Sequence, residues 1–179
     1  LVFASTQIEC DGLANDLQQD GFSAVALHGA LSQGLRNRRL MALRQGQVQI
    51  LVATDVAARG IDVKDLHCVV HYNLPEQFEY YTHRSGRTAR AGKKGISLCL
   101  VTQQEVKIIR QISRELGIQF KQVEGPSKEG VARQRLTDWA KKVAKAPAAR
   151  IDASLLQIAE EEFSKFSKEE LIAKLVTHL

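Results

Sequence analysis

Short β-branched runs alternate with helical patterns along this chain, and that alternation constrains the fold more than any other feature. Leu1–Ala4, Ser23–Leu27, Ile50–Ala53, Cys68–Tyr72 and Ile96–Val101 read as strands. Between them, 8–17, 32–44 and 78–84 carry apolar residues at helical spacing, and 105–116 does so before a stop at Gly117. Strands separated by helical crossovers predict an α/β domain with a parallel sheet. Gln119–Val123 is expected to add a last edge strand. Apolar residues make up 44% of the 179 residues, enough to fill one such core.

After Gly125-Pro126-Ser127 the composition changes. Ser127 to Arg150 holds seven Lys or Arg against two acids, whereas Ile151 to Leu179 holds six acids against three Lys. Ser167-x-x-Glu170 has the form of a capping box opening a final helix. Three segments are therefore expected: a domain over 1–125, a basic linker or helix over 126–150, and a helical extension over 151–179. The apolar stripes of that extension suit either packing on the chain's own domain or a dimer or partner surface. The basic stretch is either a solvated face or an extension of a nucleic-acid path.

The overall balance, 25 Lys and Arg against 20 Asp and Glu, suits a polyanionic partner without requiring one. Cys10, Cys68 and Cys99 form no CxxC pair, which argues against a zinc site or disulfide framework and for a reducing, cytoplasmic setting. No apolar run reaches the roughly 18 residues that span a bilayer, so no membrane partner is expected. The first residue is Leu on a strand-like run, and a fragment of a longer protein is expected.

Four segments carry chemistry. In His83-Arg84-Ser85-Gly86-Arg87-Thr88-Ala89-Arg90-Ala91-Gly92, arginines three apart project toward one side of a glycine-bent loop, and their planar forks match phosphate oxygens. In Thr54-Asp55-Val56-Ala57-Ala58-Arg59-Gly60-Ile61-Asp62, polar residues follow a buried strand, where parallel sheets bind ligands. His28-Gly29 precedes Gln33 and Arg36, which share the first turn of a helix whose amides favour phosphate. Ser5-Thr6 closes the first strand. Taken alone, each is also an ordinary loop or helix start.

Together, and in this order, the four segments resemble motifs IV, QxxR, V and VI of the DEAD-box RNA helicases, from Leu1 to Gly92, with the likeness continuing to about Val123. Motif VI in that family reads HRxGRxGRxG, and Ala89 stands at a glycine position. The resemblance implies a RecA-like C-terminal lobe of an ATP-dependent RNA helicase. It implies Arg87 and Arg90 as arginine fingers with His83 as their link to the other lobe, and Asp62 and Gly60 beside the nucleotide. Thr6, Gly29, Gln33, Arg36 and Thr54 would touch single-stranded or short duplex RNA, and Asp55 and Arg59 would hold motifs V and VI together. ATP with Mg²⁺ would be held mainly by an N-terminal RecA-like domain of the same protein, because the chain contains no GxxxxGK[ST] loop and no DEAD tetrapeptide. Gly86 to Lys94, GRTARAGKK, is one residue too long and lacks the Ser or Thr. Paired arginines argue against a non-catalytic RNA-binding module. His83 with Thr54-Asp55 argues against a DNA translocase.

Overall fold

The computed structural model describes residues 1–59, 66–89, 94–146 and 152–177. Gly60, Asp62 and Arg90 lie outside them. The chain divides into two compact units, Leu1–Phe120 and Lys121–Leu179.

The first unit runs β1 (Val2–Phe3), α1 (Gln7–Gln19), β2 (Ala24–Leu27), α2 (Gln33–Arg44), β3 (Ile50–Ala53), α3 (Asp55–Ala58), β4 (Cys68–His71), α4 (Phe78–Ser85), β5 (Ile96–Cys99) and α5 (Val106–Leu116). The strands form one parallel sheet in the order β2-β3-β1-β4-β5. Phe3 lies beside Ala53 on one side and His71 on the other. The two-residue strand β1 is thus the sheet's centre.

Alternation along the strands sorts the core onto two faces. Phe3, Leu27, Leu51, Ala53 and Val69 share one cluster with Leu40 and Leu43 of α2. Ala4, Ala26 and Val52 share the other with Cys10, Leu13, Ala14 and Leu17 of α1. Small residues on both sides of that second seam let α1 sit close to the sheet. Burial there pushes the Cys10 thiol up to about 11, so it stays neutral and inert. The helix starts are set by side chains. Thr6 and Glu9 form a capping box on α1, and Ser32 Oγ accepts from Leu35 N at 3.3 Å on α2. Gly117 closes α5 at φ 64°, a left-handed stop.

The expected strand over Gln119–Val123 does not form. β5 is the sheet edge, and Phe120 instead turns its ring edge-on to Tyr81 of α4 at 5.4 Å. Side-chain docking replaces a backbone ladder there.

The second unit contains α6 (Lys128–Lys145), α7 (Ala153–Phe163) and α8 (Lys168–Thr177). Each starts on a side-chain cap: Ser127 for α6, Asp152 for α7, and the reciprocal Ser167–Glu170 pair for α8. None of the three helices holds a buried residue, and Leu155, Ile158, Phe163, Ile172 and Leu175 stay exposed.

Candidate functional site

Parallel strands present their C-terminal ends along one edge of the sheet, and four of the sequence-predicted segments fall there. Ser5 and Thr6 follow β1, His28 and Gly29 follow β2, Thr54 and Asp55 follow β3, and α4 with its following turn packs beyond β4. The predicted RNA-contact residues therefore follow the adjacent strands β2, β3 and β1. The arginine loop lies on the β1–β4 side.

On that second side a cleft of about 350 Å³ is lined by Phe3, Asp55, Arg59, Tyr80, His83, Arg84 and Arg87 among others. Its charge is set by one internal pairing. Arg84, 3% exposed, places Nε 2.7 Å from Asp55 Oδ1 and Nη2 2.6 Å from Oδ2, while Nη1 donates to the Asn73 carbonyl at 2.7 Å. Its guanidinium also stacks 5.0 Å from the Phe3 ring centre. The one acid of the wall is thereby neutralised from behind, and the remaining cations, Arg59 and Arg87, make the cleft fit an anionic group. Arg59 lies over Tyr80 at 5.4 Å and donates to its hydroxyl at 3.0 Å. So Asp55 and Arg59 both connect the segment after β3 to α4, through partners that sequence reasoning left unassigned. The spacing of Tyr81 and Arg84, three apart on one helix face, was the available signal, since both are buried against the sheet.

Beneath α4 lies a second unforeseen group. His71 is fully buried, with Nε2 3.3 Å from Ser85 Oγ and 3.2 Å from Ser97 Oγ, and the two hydroxyls are 2.9 Å apart. The Tyr81 ring stacks on it at 4.8 Å. Burial first, and then the Arg84 guanidinium, hold the imidazole down at about 4, with Asp55 opposing. A neutral histidine thus joins β4, β5 and the last residue of α4.

From that residue the chain turns through Arg87 and Thr88. Leu66 N donates to the Arg87 carbonyl at 3.3 Å, and Thr88 Oγ1 donates to the Leu66 carbonyl. Ala89 has φ 56°. His83 is exposed and meets Tyr80 edge-on at 6.3 Å.

The other edge residues are less uniform. Thr54 Oγ1 accepts from Ala57 N at 3.4 Å, which leaves its O–H donor without a partner among the described residues. Thr6 is committed on both sides, accepting from Glu9 N and donating to Glu9 Oε2. Gln33 is exposed and donates to Asn37 at 3.1 Å. Arg36 is half-buried and donates to the Ala57 carbonyl, which links α2 to α3. Gly29 is exposed, and a Cβ there would meet only Gln7 Nε2 at 3.8 Å. His28, buried, is held by Asp11 at 3.1 Å and is structural. Among the described residues no group of His, Cys, Asp and Glu is arranged to hold a metal ion.

Residues 1–92 match the family model described as helicase conserved C-terminal domain, and residues 131–178 match one described as probable ATP-dependent RNA helicase, helical domain. The chain is 45% identical over 120 residues to DEAD-box ATP-dependent RNA helicase 53 of Oryza sativa subsp. japonica, covering 67% of this chain and 20% of that protein. It spans about a fifth of the length of the curated relatives it matches. Among solved structures it resembles a DEAD box protein from the hyperthermophile Methanococcus jannaschii, at 44% identity and TM-score 0.65, over 69% of this chain and 34% of that one. It also resembles the Escherichia coli DEAD-box protein SrmB, solved bound to regulator of ribonuclease activity A, at 36% identity and TM-score 0.61, over 71% of this chain and 80% of that one. With its five-stranded parallel sheet and its motif order, the chain belongs to the DEAD-box helicase family, as a RecA-like helicase C-terminal domain.

Proposed function

We propose that this chain is the C-terminal half of an ATP-dependent RNA helicase, supplying arginine fingers for hydrolysis and gripping the RNA backbone during local unwinding. The observation that carries the reading is the cationic cleft beside α4, whose only lining acid is paired with Arg84. ATP with Mg²⁺, held mainly by the N-terminal RecA-like domain of the same protein, supplies phosphoryl-transfer chemistry when bound. Arg87, and Arg90 beside it in sequence, present forks that stabilise charge on the γ-phosphate as it develops. His83 reaches toward the acidic motif of the other lobe, and Asp62 and Gly60 border the nucleotide. On the β2–β3–β1 side, the Thr54 hydroxyl, the Gly29 backbone, and Gln33 with Arg36 contact RNA phosphates. Thr6 joins them once its hydroxyl turns away from Glu9. Every one of these contacts goes to the backbone, so binding is indifferent to sequence. The exposed stripes of α7 and α8 fit a homodimer or another protein partner.

The test is RNA-stimulated ATP turnover by the longer protein that carries this chain. Arg87→Ala is expected to lower kcat by roughly 10³-fold or more with little change in ATP affinity, and Arg87→Lys to restore little. Normal turnover in Arg87→Ala with lost RNA affinity would make this loop a nucleic-acid clamp and remove the finger assignment.

A further inference from the structure

Helix α6 is 18 residues long, buries none of them, and carries six cations against two acids. Core packing does not account for it, and its own acids do not neutralise it. Glu129 pairs with Arg133 at 3.7 Å, and Asp138 accepts from Gln134 at 3.0 and 3.1 Å.

Helix geometry organises the remaining charge. Residues seven apart drift by only about 20° around an α-helix, so Lys128, Arg135 and Lys142 form one line, with steps of about 10 Å at 1.5 Å per residue. Trp139 lies four residues after Arg135 and three before Lys142, which places it on the same surface, between them. It is half-buried, whereas Arg135 and Lys142 are exposed. On its other flank Leu136 and Val143 continue an apolar strip, so the indole marks the seam between the apolar and basic faces.

A cationic line that follows a backbone, interrupted by an aromatic face, is the pairing that single-stranded nucleic acid requires: charge for the phosphates and a platform for an unstacked base. A-form duplex keeps its bases stacked and gives the indole no partner. An acidic protein surface would use the charge but not the ring's position within it.

We propose that α6 is a second nucleic-acid contact, in which Lys128, Arg135 and Lys142 bind phosphates of single-stranded RNA and Trp139 stacks on a base. This rests on the RNA reading above and adds a site separate from the sheet edge. It gives the chain a hold on RNA that does not depend on the segments after β1, β2 and β3.

Trp139 is the only tryptophan of the chain, so its emission reports on this site directly. The experiment titrates the whole chain with a dye-labelled oligouridylate of about 12 nucleotides, following dye anisotropy for binding and tryptophan emission for the site. Emission is expected to be quenched in step with the anisotropy rise. Lys128→Gln/Arg135→Gln/Lys142→Gln keeps good helix formers, and circular dichroism checks that the helix remains. This variant is expected to abolish the quench and to bind at least about tenfold more weakly. The log–log salt slope should fall in magnitude by about 2, at roughly 0.7 for each phosphate no longer neutralised. Gln33→Ala/Arg36→Ala is expected to weaken binding while the quench persists at saturation.

If RNA binds with unchanged tryptophan emission, and the triple variant matches its parent, the inference is overturned while the RNA function stands. If neither parent nor variant binds RNA, the functional reading fails and takes the inference with it. If the triple variant changes only the sedimentation of the chain, α6 is a self-association surface and the inference is also overturned.

Discussion

The Arg84 guanidinium meets both oxygens of Asp55, at 2.7 and 2.6 Å, and so ties the last turn of α4 to the first residue of α3. The two partners differ in solvent access: the Arg84 side chain is 3% exposed, that of Asp55 31%. Removing the carboxylate therefore strands a buried cation, whereas removing the cation leaves a carboxylate that water reaches. Asp55→Ala is expected to destabilise the first unit by about 3 kcal/mol, because an uncompensated buried charge costs more than the pair contributes. In urea unfolding, Asp55→Ala/Arg84→Met should cost less than the sum of the single changes, by about 1–3 kcal/mol. Strict additivity would show that the pair does not couple α3 to α4.

Much of the scaffold was legible because it is local. β-branched runs mark the strands, Ser32 marks the start of α2, and Gly117 marks the end of α5; each acts within a few residues of itself. What was not legible is what pairing decides. Nothing near Val2–Phe3 says that this two-residue strand is the sheet centre, between β3 and β4. Without the strand order, the meeting of Asp55 with Arg84, 29 positions apart, has no local signature. Nor does the burial of His71 between two serines. The Gln119–Val123 expectation failed for the converse reason. Its residue types suit a strand, but Phe120 gains more against Tyr81 than an edge ladder offers. For the site, the polar residues after β1, β2 and β3 were found from spacing and resemblance, while the buried shell that positions α4 was not.

That shell is acid-sensitive. An unfolded histidine titrates near 6.5, whereas burial holds His71 at about 4 in the fold. The unfolded chain therefore takes up a proton first as pH falls. His71 leaves stability untouched above about 6.5, and stability then declines as pH drops toward about 4, by on the order of 3 kcal/mol in all. The ionised groups nearest it, Arg84 and Asp55, remain charged through most of that window. Urea midpoints of the chain between pH 7 and pH 4.5 should fall steeply, and those of His71→Gln more gently. Parallel curves for parent and variant would mean that the acid response originates elsewhere.

Gly29 separates a structural role from a binding one. Its φ is not among the positive values of the fold, and a Cβ would find only Gln7 Nε2 at 3.8 Å. Gly29→Ala should therefore leave stability within about 0.5 kcal/mol of the parent. If a phosphate approaches this backbone closely, the added methyl obstructs it. RNA affinity of the chain should then drop by about tenfold, equivalent to about 1.4 kcal/mol. Unchanged affinity in a well-folded Gly29→Ala variant would take Gly29 out of the RNA path.

The turn that carries Arg87 is strained at one position and crowded at another, so two opposite substitutions test it. Ala89 sits at φ 56°, where an L-residue other than glycine costs about 1–2 kcal/mol. Glycine removes that cost but adds about 0.5–1 kcal/mol of unfolded-state entropy, so Ala89→Gly should stabilise the first unit by at most about 1 kcal/mol. Gly95 presents the reverse case: a Cβ there would lie 2.6 Å from Ala89 N, a contact with backbone that no side-chain rotation relieves. Gly95→Ala should cost about 1–3 kcal/mol by displacing the turn. The turn is also held from the far side, by Leu66 N on the Arg87 carbonyl and Thr88 Oγ1 on the Leu66 carbonyl. Ala89→Gly should therefore keep Arg87 in place and leave ATP turnover of the longer protein close to normal, whereas Gly95→Ala should lower it along with stability. A clear loss of turnover in Ala89→Gly, without loss of stability, would mean that the alanine itself stiffens the loop. Rigidity at Ala89, and not the hydrogen bonds to Leu66, would then set the geometry of Arg87.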